Sequence, residues 1–225
     1  IKPGAWVVSS AERPEARAVI ARRCAEQDAR LLEVDEVFRI EDVWAPRQSG
    51  CAVTATSKHG APRIELSLPL PGRYQLRNAL AALAAARLLA ERGFPIDDSA
   101  IVRGIASTRW PGRLELVQQN PAVFLDGTHN PAGARALLEF WQEKFSGCRI
   151  HLVYGAMRDK AVDEIAGLLF PHAASVTLTE PRQSRAITAG ELARIVGHFV
   201  SSGRPEVVPD PADALEHAIS LAAPG

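Results

Sequence analysis

The sequence predicts an α/β fold whose C-terminal half contains a mostly parallel sheet. After residue 113, short β-prone runs alternate with amphipathic helical stretches, an order typical of parallel strands with helices on both faces. Between residues 31 and 70, apolar and polar side chains alternate instead, as in Ile64-Glu65-Leu66-Ser67-Leu68, which favours a half-exposed antiparallel sheet. A chain of 225 residues can bury one large core or two small ones.

The first half of the chain is predicted to contain helices before and after those short strands. An Ala-rich helix is apolar over much of its circumference, so we expect it to pack between layers. Gly93 ends this helix, and Pro95 prevents its continuation. The predicted strands are 6–10, 31–34, 37–40, 51–57 and 64–70, and the predicted helices are 14–28, 78–92 and 97–106.

Capping residues indicate where the helices of the second half begin. Asn130 and Asp210 each precede a proline, the arrangement of an N-cap followed by the first helical residue. Thr188, with Glu191 three residues later, predicts a capping box. The predicted strands are 114–118, 121–125, 149–154, 174–178 and 205–208, and the predicted helices are 131–145, 160–170, 188–199 and 211–222.

The turn Trp110-Pro-Gly-Arg113 separates the two halves. We predict domains over residues 1–111 and 112–225. The sequence starts without a methionine and stops directly after a helical pattern, so we expect a segment of a longer protein.

Composition argues against several classes of partner. The 26 basic and 26 acidic residues balance, so nothing indicates nucleic-acid binding or attraction to a membrane surface. The longest wholly apolar run, 79–86, is far too short to span a bilayer, and no secretory signal is visible. Cys24, Cys51 and Cys148 are far apart and form no C-x-x-C pair, so we expect neither a disulfide framework nor a zinc framework. The expectation is a monomeric cytoplasmic protein that binds small molecules.

The run from Asp126 to Asn130 is the strongest candidate for a ligand site. It joins a β-prone stretch to the helix at 131–145, where ligands bind in open α/β sheets and where free helix N–H groups attract anions. Asp126 can accept hydrogen bonds from ribose hydroxyls, or it can cap the following turn. His129 can contact phosphate oxygens, or it can be an exposed loop histidine. A well-capped connection without a ligand accounts for the same residues.

Arg113 and Asn78 are further candidates for nucleotide contacts. Arg113 follows a rigid turn, and its guanidinium can hold phosphate or ribose with a fixed fork of donors, or lie on the surface beside Glu115. Asn78 starts the predicted Ala-rich helix. Its amide can meet an adenine edge as donor and acceptor, or serve as the N-cap.

The segment from Tyr154 to Lys160 repeats the strand–turn–helix arrangement. We expect Asp159 to cap the helix and Lys160, in its first turn, to bind an anionic group or to be solvated. The chain has no Gly-Lys pair, hence no Walker A loop, and no G-x-G-x-x-G motif follows any strand. The second absence argues against a dinucleotide oxidoreductase.

Together these segments resemble the C-terminal part of folylpolyglutamate synthase/dihydrofolate synthase, a branch of the Mur ligase superfamily. The resemblance rests on their order and spacing over nearly the whole chain, and Asp-x-x-His-Asn-Pro is a fairly specific piece. The matching segments are Ile-Lys-Pro-Gly at 1–4, Gln-Leu-Arg-Asn-Ala at 75–79, Pro-Gly-Arg-Leu-Glu at 111–115, Asp-Gly-Thr-His-Asn-Pro at 126–131, Gly-Ala-Met-Arg-Asp-Lys at 155–160, and Thr-Glu-Pro at 179–181 with Arg-Ala at 185–186.

The resemblance implies a domain arrangement. Residues 1–111 would be the remainder of a Mur-ligase-type central ATP-binding domain, and residues 112–225 a Rossmann-like C-terminal domain with its last strand truncated. The phosphate-binding loop and metal-holding lysine of the family would lie upstream of this segment. We therefore expect part of an active site and no catalysis from the segment alone.

The resemblance also implies a reaction, in which ATP and Mg²⁺ serve to join L-glutamate to a folate or dihydropteroate carboxylate. ATP converts the carboxylate, a poor electrophile, into an acyl phosphate, and the glutamate amine attacks it through a tetrahedral intermediate. Asn78 would then meet adenine, while Arg113 and Asp126 would hold the phosphate–ribose side. His129, the catalytic candidate, would lie near the phosphates, and Asn130 and Lys160 would contact substrate.

Several alternatives stay open at this point. The parent protein can make dihydrofolate, extend polyglutamate tails, or do both. Within the superfamily the alternative is a peptidoglycan-type amino-acid ligase, which adds to a UDP-sugar substrate. Outside that chemistry, the alternative is a non-catalytic nucleotide-binding module that keeps the fold.

Overall fold

The computed structural model describes residues 1–44, 51–57, 64–201 and 203–222. It separates into two units, Ile1–Pro111 and Gly112–Gly225, which are described in turn. Within the described residues, no helix combines the length and the apolar character needed to cross a bilayer.

The first unit combines a parallel strand pair with an antiparallel sheet. Its elements are β1 (Trp6–Ser9), α1 (Pro14–Glu26), β2 (Arg30–Glu33), α2 (Val34–Val37), β3 (Phe38–Trp44), β4 (Cys51–Ser57), β5 (Ile64–Leu68), α3 (Arg73–Glu91) and α4 (Asp98–Ala106). β1 pairs with β2 in parallel, and β3, β4 and β5 follow one another in an antiparallel sheet.

The core of the first unit lies between β5 and the helices α3 and α4. Ile64, Leu66 and Leu68 of β5 are buried, whereas the intervening Glu65 and Ser67 are exposed, which confirms the half-exposed antiparallel sheet. α3 contributes Leu76, Leu80 and Leu83, and α4 contributes Ile101 and Ile105.

The second unit contains a hairpin followed by a parallel α/β sheet. Its elements are β6 (Glu115–Gln119), β7 (Ala122–Leu125), α5 (Pro131–Lys144), β8 (His151–Tyr154), α6 (Val162–Leu169), β9 (Ser175–Leu178), α7 (Ala189–Val196), β10 (Glu206–Val207) and α8 (Pro211–Leu221). β8, β9 and β10 form a parallel sheet in the order β10-β9-β8, and the α/β class is thereby confirmed. β6 and β7, separated by only two residues, pair antiparallel as a hairpin instead of joining that sheet.

The caps of the second unit follow the sequence closely. Asn130 accepts from Gly133 N at 2.8 Å ahead of Pro131, and Asp210 accepts from Ala212 N ahead of Pro211. Thr188 Oγ1 accepts from Glu191 N as half of the capping box, but the Glu191 carboxylate pairs with Arg158.

Three predictions about the first unit need correction. Residues 31–34 were expected in the antiparallel sheet, but β2 pairs parallel with β1, because the helix α1 between them supplies the crossover that a parallel pair requires. Val37, expected to begin a strand, ends the short helix α2. The Ala-rich helix begins at Arg73, with Gly72 (φ 101°) as its N-cap residue. Asn78 therefore lies inside α3, and the N-cap alternative for it is wrong.

The start of α6 also differs from the prediction. Ala161 occupies the N-cap position and α6 begins at Val162, so neither Asp159 nor Lys160 belongs to the first turn or its cap. Both residues lie in the loop that joins β8 to α6, which leaves their side chains to interact with other loops.

Candidate functional site

The β6–β7 hairpin brings two candidate segments together at its open end. Glu115 pairs with Leu125, so the residues just before β6 lie beside those just after β7. We call residues 112–114 the Arg113 turn and residues 126–130 the Asp126 loop. Gly127 N donates to Gly112 O at 2.7 Å, which joins the two segments directly.

Asp126 uses both carboxylate oxygens to organise these segments. Its Oδ1 accepts from Thr128 N at 2.9 Å and also from the Thr128 hydroxyl, while Oδ2 accepts from Leu114 N at 2.9 Å. The turn-capping interpretation of Asp126 is therefore confirmed. Since a carboxylate oxygen has two lone pairs, Oδ2 retains acceptor capacity that a ribose hydroxyl can use.

Arg113 is held by its neighbours on both sides. Gly112 N donates to Glu115 Oε2 at 2.8 Å, and Leu114 N donates to Asp126. Leu114 adopts a left-handed backbone (φ 48°) that is uncommon for leucine, yet its side chain is buried. The guanidinium lies over the Asp126 loop, because Arg113 Nη1 is 3.9 Å from the point where a Cβ at Gly127 would lie. The backbone of Arg113 is thus fixed in place.

His129 and Asn130 complete the Asp126 loop at the start of α5. The Asn130 side chain is committed to the N-cap hydrogen bond with Gly133 N. His129 Nδ1 lies 2.8 Å from Gly127 O, and since a carbonyl only accepts, Nδ1 carries a proton. The opposite nitrogen, Nε2, is then an acceptor in neutral histidine and a second donor in the cation. The imidazole is exposed, so Nε2 can meet an anion once it is protonated.

Aromatic packing fixes α5 relative to the hairpin. Phe124 of β7 packs edge-to-face on Phe140 and Phe145, with ring centroids 6.4 and 5.3 Å apart. Such pairs add to the stability of ordinary apolar burial. This packing holds the C-terminal end of α5 against β7.

The loop from Gly155 to Ala161, which we call the Lys160 loop, leaves the carboxyl end of β8. Gly155 is required there because a Cβ would lie 2.9 Å from Pro181 Cδ and 3.1 Å from Thr179 O. Arg158 N donates to Arg185 O and Ile187 N donates to Ala156 O, both at 3.0 Å. The loop after β9 thus runs along the Lys160 loop at the same edge of the sheet.

Charged side chains of the Lys160 loop form exposed ion pairs. Lys160 Nζ lies 3.1 Å from Asp159 Oδ2, and Arg185 Nη1 lies 3.4 Å from the same oxygen. Arg158 donates to both carboxylate oxygens of Glu191, at 2.9 and 2.8 Å. The Lys160 ammonium lowers the pKa of Asp159, and the Arg158 guanidinium lowers the pKa of Glu191. An anionic ligand that binds these basic side chains at the edge of the sheet would therefore have to take the place of their present carboxylate partners.

Asn78 belongs to the first unit, on the exposed side of α3. Its Nδ2 donates to Gln75 Oε1 at 2.9 Å, and Gln75 is buried. Arg77 joins this turn of α3 to other elements: its guanidinium donates to Ser10 O, and it pairs with Asp35 at 2.6 Å and Glu12 at 3.1 Å.

The structure thus gathers Arg113, Asp126, His129 and Asn130 around one pair of segments, and it places Lys160 in a separate loop. Sequence reasoning missed Thr128 and Gln75 as supporting residues. Thr128 stands two residues after an aspartate, a spacing typical of Asx turns, so its role was open to prediction. Gln75 gave no comparable indication, because its burial depends on tertiary packing.

These features define an α/β protein whose polar side chains collect where strands end and helices begin, as in ligand-binding α/β domains. The sequence profile of the family described as "Mur ligase, glutamate ligase domain" matches residues 112–225. The chain belongs to the Mur ligase family.

Individual relatives carry names from folate metabolism. The dihydrofolate synthase/folylpolyglutamate synthase of Bacillus subtilis (strain 168) is 35% identical over 164 residues, 71% of this chain and 37% of that protein. The protein of the same name from Mycobacterium tuberculosis is 30% identical over 221 residues, 97% of this chain and 45% of that protein.

The fold likewise matches a solved structure, that of Mycobacterium tuberculosis folylpolyglutamate synthase complexed with ADP and AMPPCP. The TM-score is 0.82 at 29% sequence identity, over 96% of this chain and 48% of that one. The chain thus spans less than half the length of each of these relatives.

Proposed function

We propose that this chain supplies part of the ATP and glutamate sites of a ligase that joins L-glutamate to a folate or dihydropteroate carboxylate. Residues 1–111 would be the remainder of a central ATP-binding domain, and residues 112–225 the glutamate-ligase domain. Membership of the Mur ligase family, together with relatives named as folate enzymes, supports this assignment. The chain has no Gly-Lys pair, so the phosphate-binding loop would come from elsewhere in the full-length protein.

The observation that carries the proposal is the hydrogen-bonded link between the Arg113 turn and the Asp126 loop. Because both neighbours of Arg113 are held, its backbone has a fixed place at the end of the hairpin, and its guanidinium would offer a fork of donors to phosphate or ribose oxygens. Asp126 Oδ2 would accept from a ribose hydroxyl. Asn78 would meet the adenine edge.

His129 would contact phosphate oxygens. With Nδ1 donating to Gly127 O, protonated His129 would direct Nε2–H toward phosphate oxygens and stabilise the charge that develops during phosphoryl transfer. Asn130 would act on substrate indirectly, since its side chain holds the first turn of α5. ATP would convert the carboxylate, a poor electrophile, into an acyl phosphate, and the glutamate amine would then displace phosphate from it.

Such ligases are expected to use Mg²⁺, and the described residues do not form a complete protein site for it. No group of three or more His, Cys, Asp or Glu side chains suited to a metal is present among them. Mg²⁺ usually binds through substrate phosphates and one or two carboxylates, so no step here is assigned to it.

Lys160 would act on the glutamate side. Its ammonium and the Arg185 guanidinium both face Asp159, and a glutamate carboxylate can replace that exposed partner at little cost. A peptidoglycan-type ligase is the less favoured alternative, since the relatives described above are folate enzymes.

Substrate competition in the full-length protein tests the proposal. We expect glutamate-dependent ADP release to be stimulated by dihydropteroate or tetrahydrofolate and not by UDP-muramyl compounds. If neither folate substrate stimulates ADP release, the assignment is wrong.

Within that assay, Arg113→Lys tests the nucleotide contact. A point charge does not replace a guanidinium fork, so KM for ATP should rise about tenfold, as expected for losing one charge-assisted hydrogen bond. Arg135→Lys, at an exposed position of α5, is the matched control and should leave KM unchanged. Equal KM values for the two variants would remove Arg113 from the site.

A further inference from the structure

Gln75 is one of few polar side chains buried in the described part of the chain, with 6% of its surface exposed. It lies one turn before Asn78 on α3, and the two amides meet on neighbouring positions of the helix surface. The hydrogen bond from Asn78 Nδ2 to Gln75 Oε1, 2.9 Å long, joins a buried amide to an exposed one.

This hydrogen bond fixes the orientation of the exposed amide. The Asn78 side chain has a broad, nearly two-fold torsion about its last bond, so on its own it exchanges its oxygen and nitrogen easily. In the structure Gln75 presents Oε1, an acceptor, to Asn78, which keeps Nδ2 on the Gln75 side and turns Asn78 Oδ1 away. An amide nitrogen carries two hydrogens, so a second N–H is present besides the one given to Gln75.

The backbone that carries both amides is itself anchored. Arg77, between them in sequence, pairs with Glu12 and Asp35, and Gln75 N donates to Gly72 O at 3.0 Å. Both amides therefore sit on a turn of α3 tied to the β1–α1 loop and to α2, not on a mobile segment.

We propose that Gln75 is a positioning residue that sets the purine preference of the site through the orientation of the Asn78 amide. The inference rests on the proposed contact between Asn78 and adenine. With Oδ1 turned outward, the amide accepts from the 6-amino group of adenine and donates to the neighbouring ring nitrogen. A 6-oxo purine presents an acceptor there, so the fixed amide disfavours it.

The experiment measures kcat/KM with ATP and with ITP in the full-length protein, and compares the ATP/ITP ratio between variants. Asn78→Ala should lower the ratio about tenfold, the lower range of discrimination from one bidentate amide–adenine contact. Gln75→Leu keeps the volume but removes the acceptor, so it should lower the ratio by most of the same factor. Gln75→Glu keeps an acceptor oxygen and should retain the wild-type ratio.

Two further variants separate positioning from folding. Gln75→Met serves if Gln75→Leu does not fold, and it should lower the ratio equally. Leu83→Val, a buried truncation on the same helix, should lower the thermal midpoint while leaving the ratio unchanged.

The outcomes separate a failure of the adenine contact of Asn78 from a failure of the positioning role of Gln75. If Asn78→Ala leaves the ratio unchanged, the proposed adenine contact fails, and the inference fails with it. If Asn78→Ala lowers the ratio but neither Gln75→Leu nor Gln75→Met does, the positioning role alone is overturned. A Gln75→Glu ratio as low as that of Gln75→Leu would also overturn it, because the acceptor would then not matter.

Discussion

The Asp126 loop and the Lys160 loop both join a strand to a helix in the second unit, but they are held in different ways. In the Asp126 loop, a carboxylate accepts from backbone N–H groups of its own loop and of the Arg113 turn. In the Lys160 loop, backbone pairing with residues 185–187 and a close approach to Pro181 set the path, and the charged side chains pair on the surface. The Asp126 carboxylate is thus used in hydrogen bonds to the backbone, whereas the charged side chains of the Lys160 loop are held only by surface ion pairs that a ligand can replace.

This difference indicates how each loop would meet a ligand. Backbone N–H groups bonded to a partly buried carboxylate do not reorganise readily, which suits a preformed grip on a nucleotide. Exposed ion pairs contribute little to stability and can be exchanged for a ligand carboxylate. The contrast predicts that carboxylate removal damages the first loop far more than the second.

The largest effect is expected for Asp126→Ala. The substitution leaves Leu114 N, Thr128 N and the Thr128 hydroxyl without their acceptor, so the free energy of unfolding should fall by about 3 kcal/mol in urea titration. Asp159→Ala is the matched control, an exposed carboxylate of the Lys160 loop, and it should leave the urea midpoint unchanged. Similar midpoints for both variants would show that the two loops do not differ as described.

A smaller effect is expected for Gly155→Ala, which tests the backbone of the Lys160 loop. The new Cβ would overlap Pro181 and approach Thr179 O, so we expect a loss of about 2 kcal/mol from overpacking. Gly190→Ala, where a Cβ meets nothing within 4 Å, is the control and should be neutral or slightly stabilising. Equal thermal midpoints for the two alanine variants would contradict the close approach.

The smallest effect concerns the titration of Glu191. Arg158 lowers its pKa in the folded chain, so the ion pair is present at neutral pH and is lost as the pH falls through that lowered pKa. Arg158→Met should raise the carboxyl titration midpoint, followed by NMR, toward the ordinary value. Arg194→Met should raise it less, because Arg194 acts on Glu191 through its charge alone, without the hydrogen bonds that Arg158 makes. An unchanged midpoint in Arg158→Met would show that the pair does not persist in solution.

Much of the fold was predictable because local chemistry agreed with the final structure. Asn130 and Asp210 cap helices as their sequences indicate, and alternation in β5 matches its burial. The start of α3 could not be predicted from the Ala-rich pattern. The helix already begins at Arg73, directly after Pro71-Gly72 and ahead of the alanines. The parallel pairing of β2 likewise depended on its tertiary neighbour.

The candidate site was predictable in its residues but not in their connections. Asp126, His129 and Arg113 stand out by type and position, and the structure brings them to one hairpin end. The hydrogen bond from Leu114 N to Asp126 joins residues twelve positions apart, and no local rule predicts it. Gln75 was missed for the same reason, since burial is a property of the assembled core.

Leu114 is under two opposing demands. Its left-handed backbone favours glycine, whereas its 2% exposure requires an apolar side chain that glycine lacks. Valine or isoleucine would fill the space but tolerate that backbone poorly. Few residue types satisfy both demands, so position 114 should be among the least permissive in the second unit, although its side chain takes no part in any chemistry.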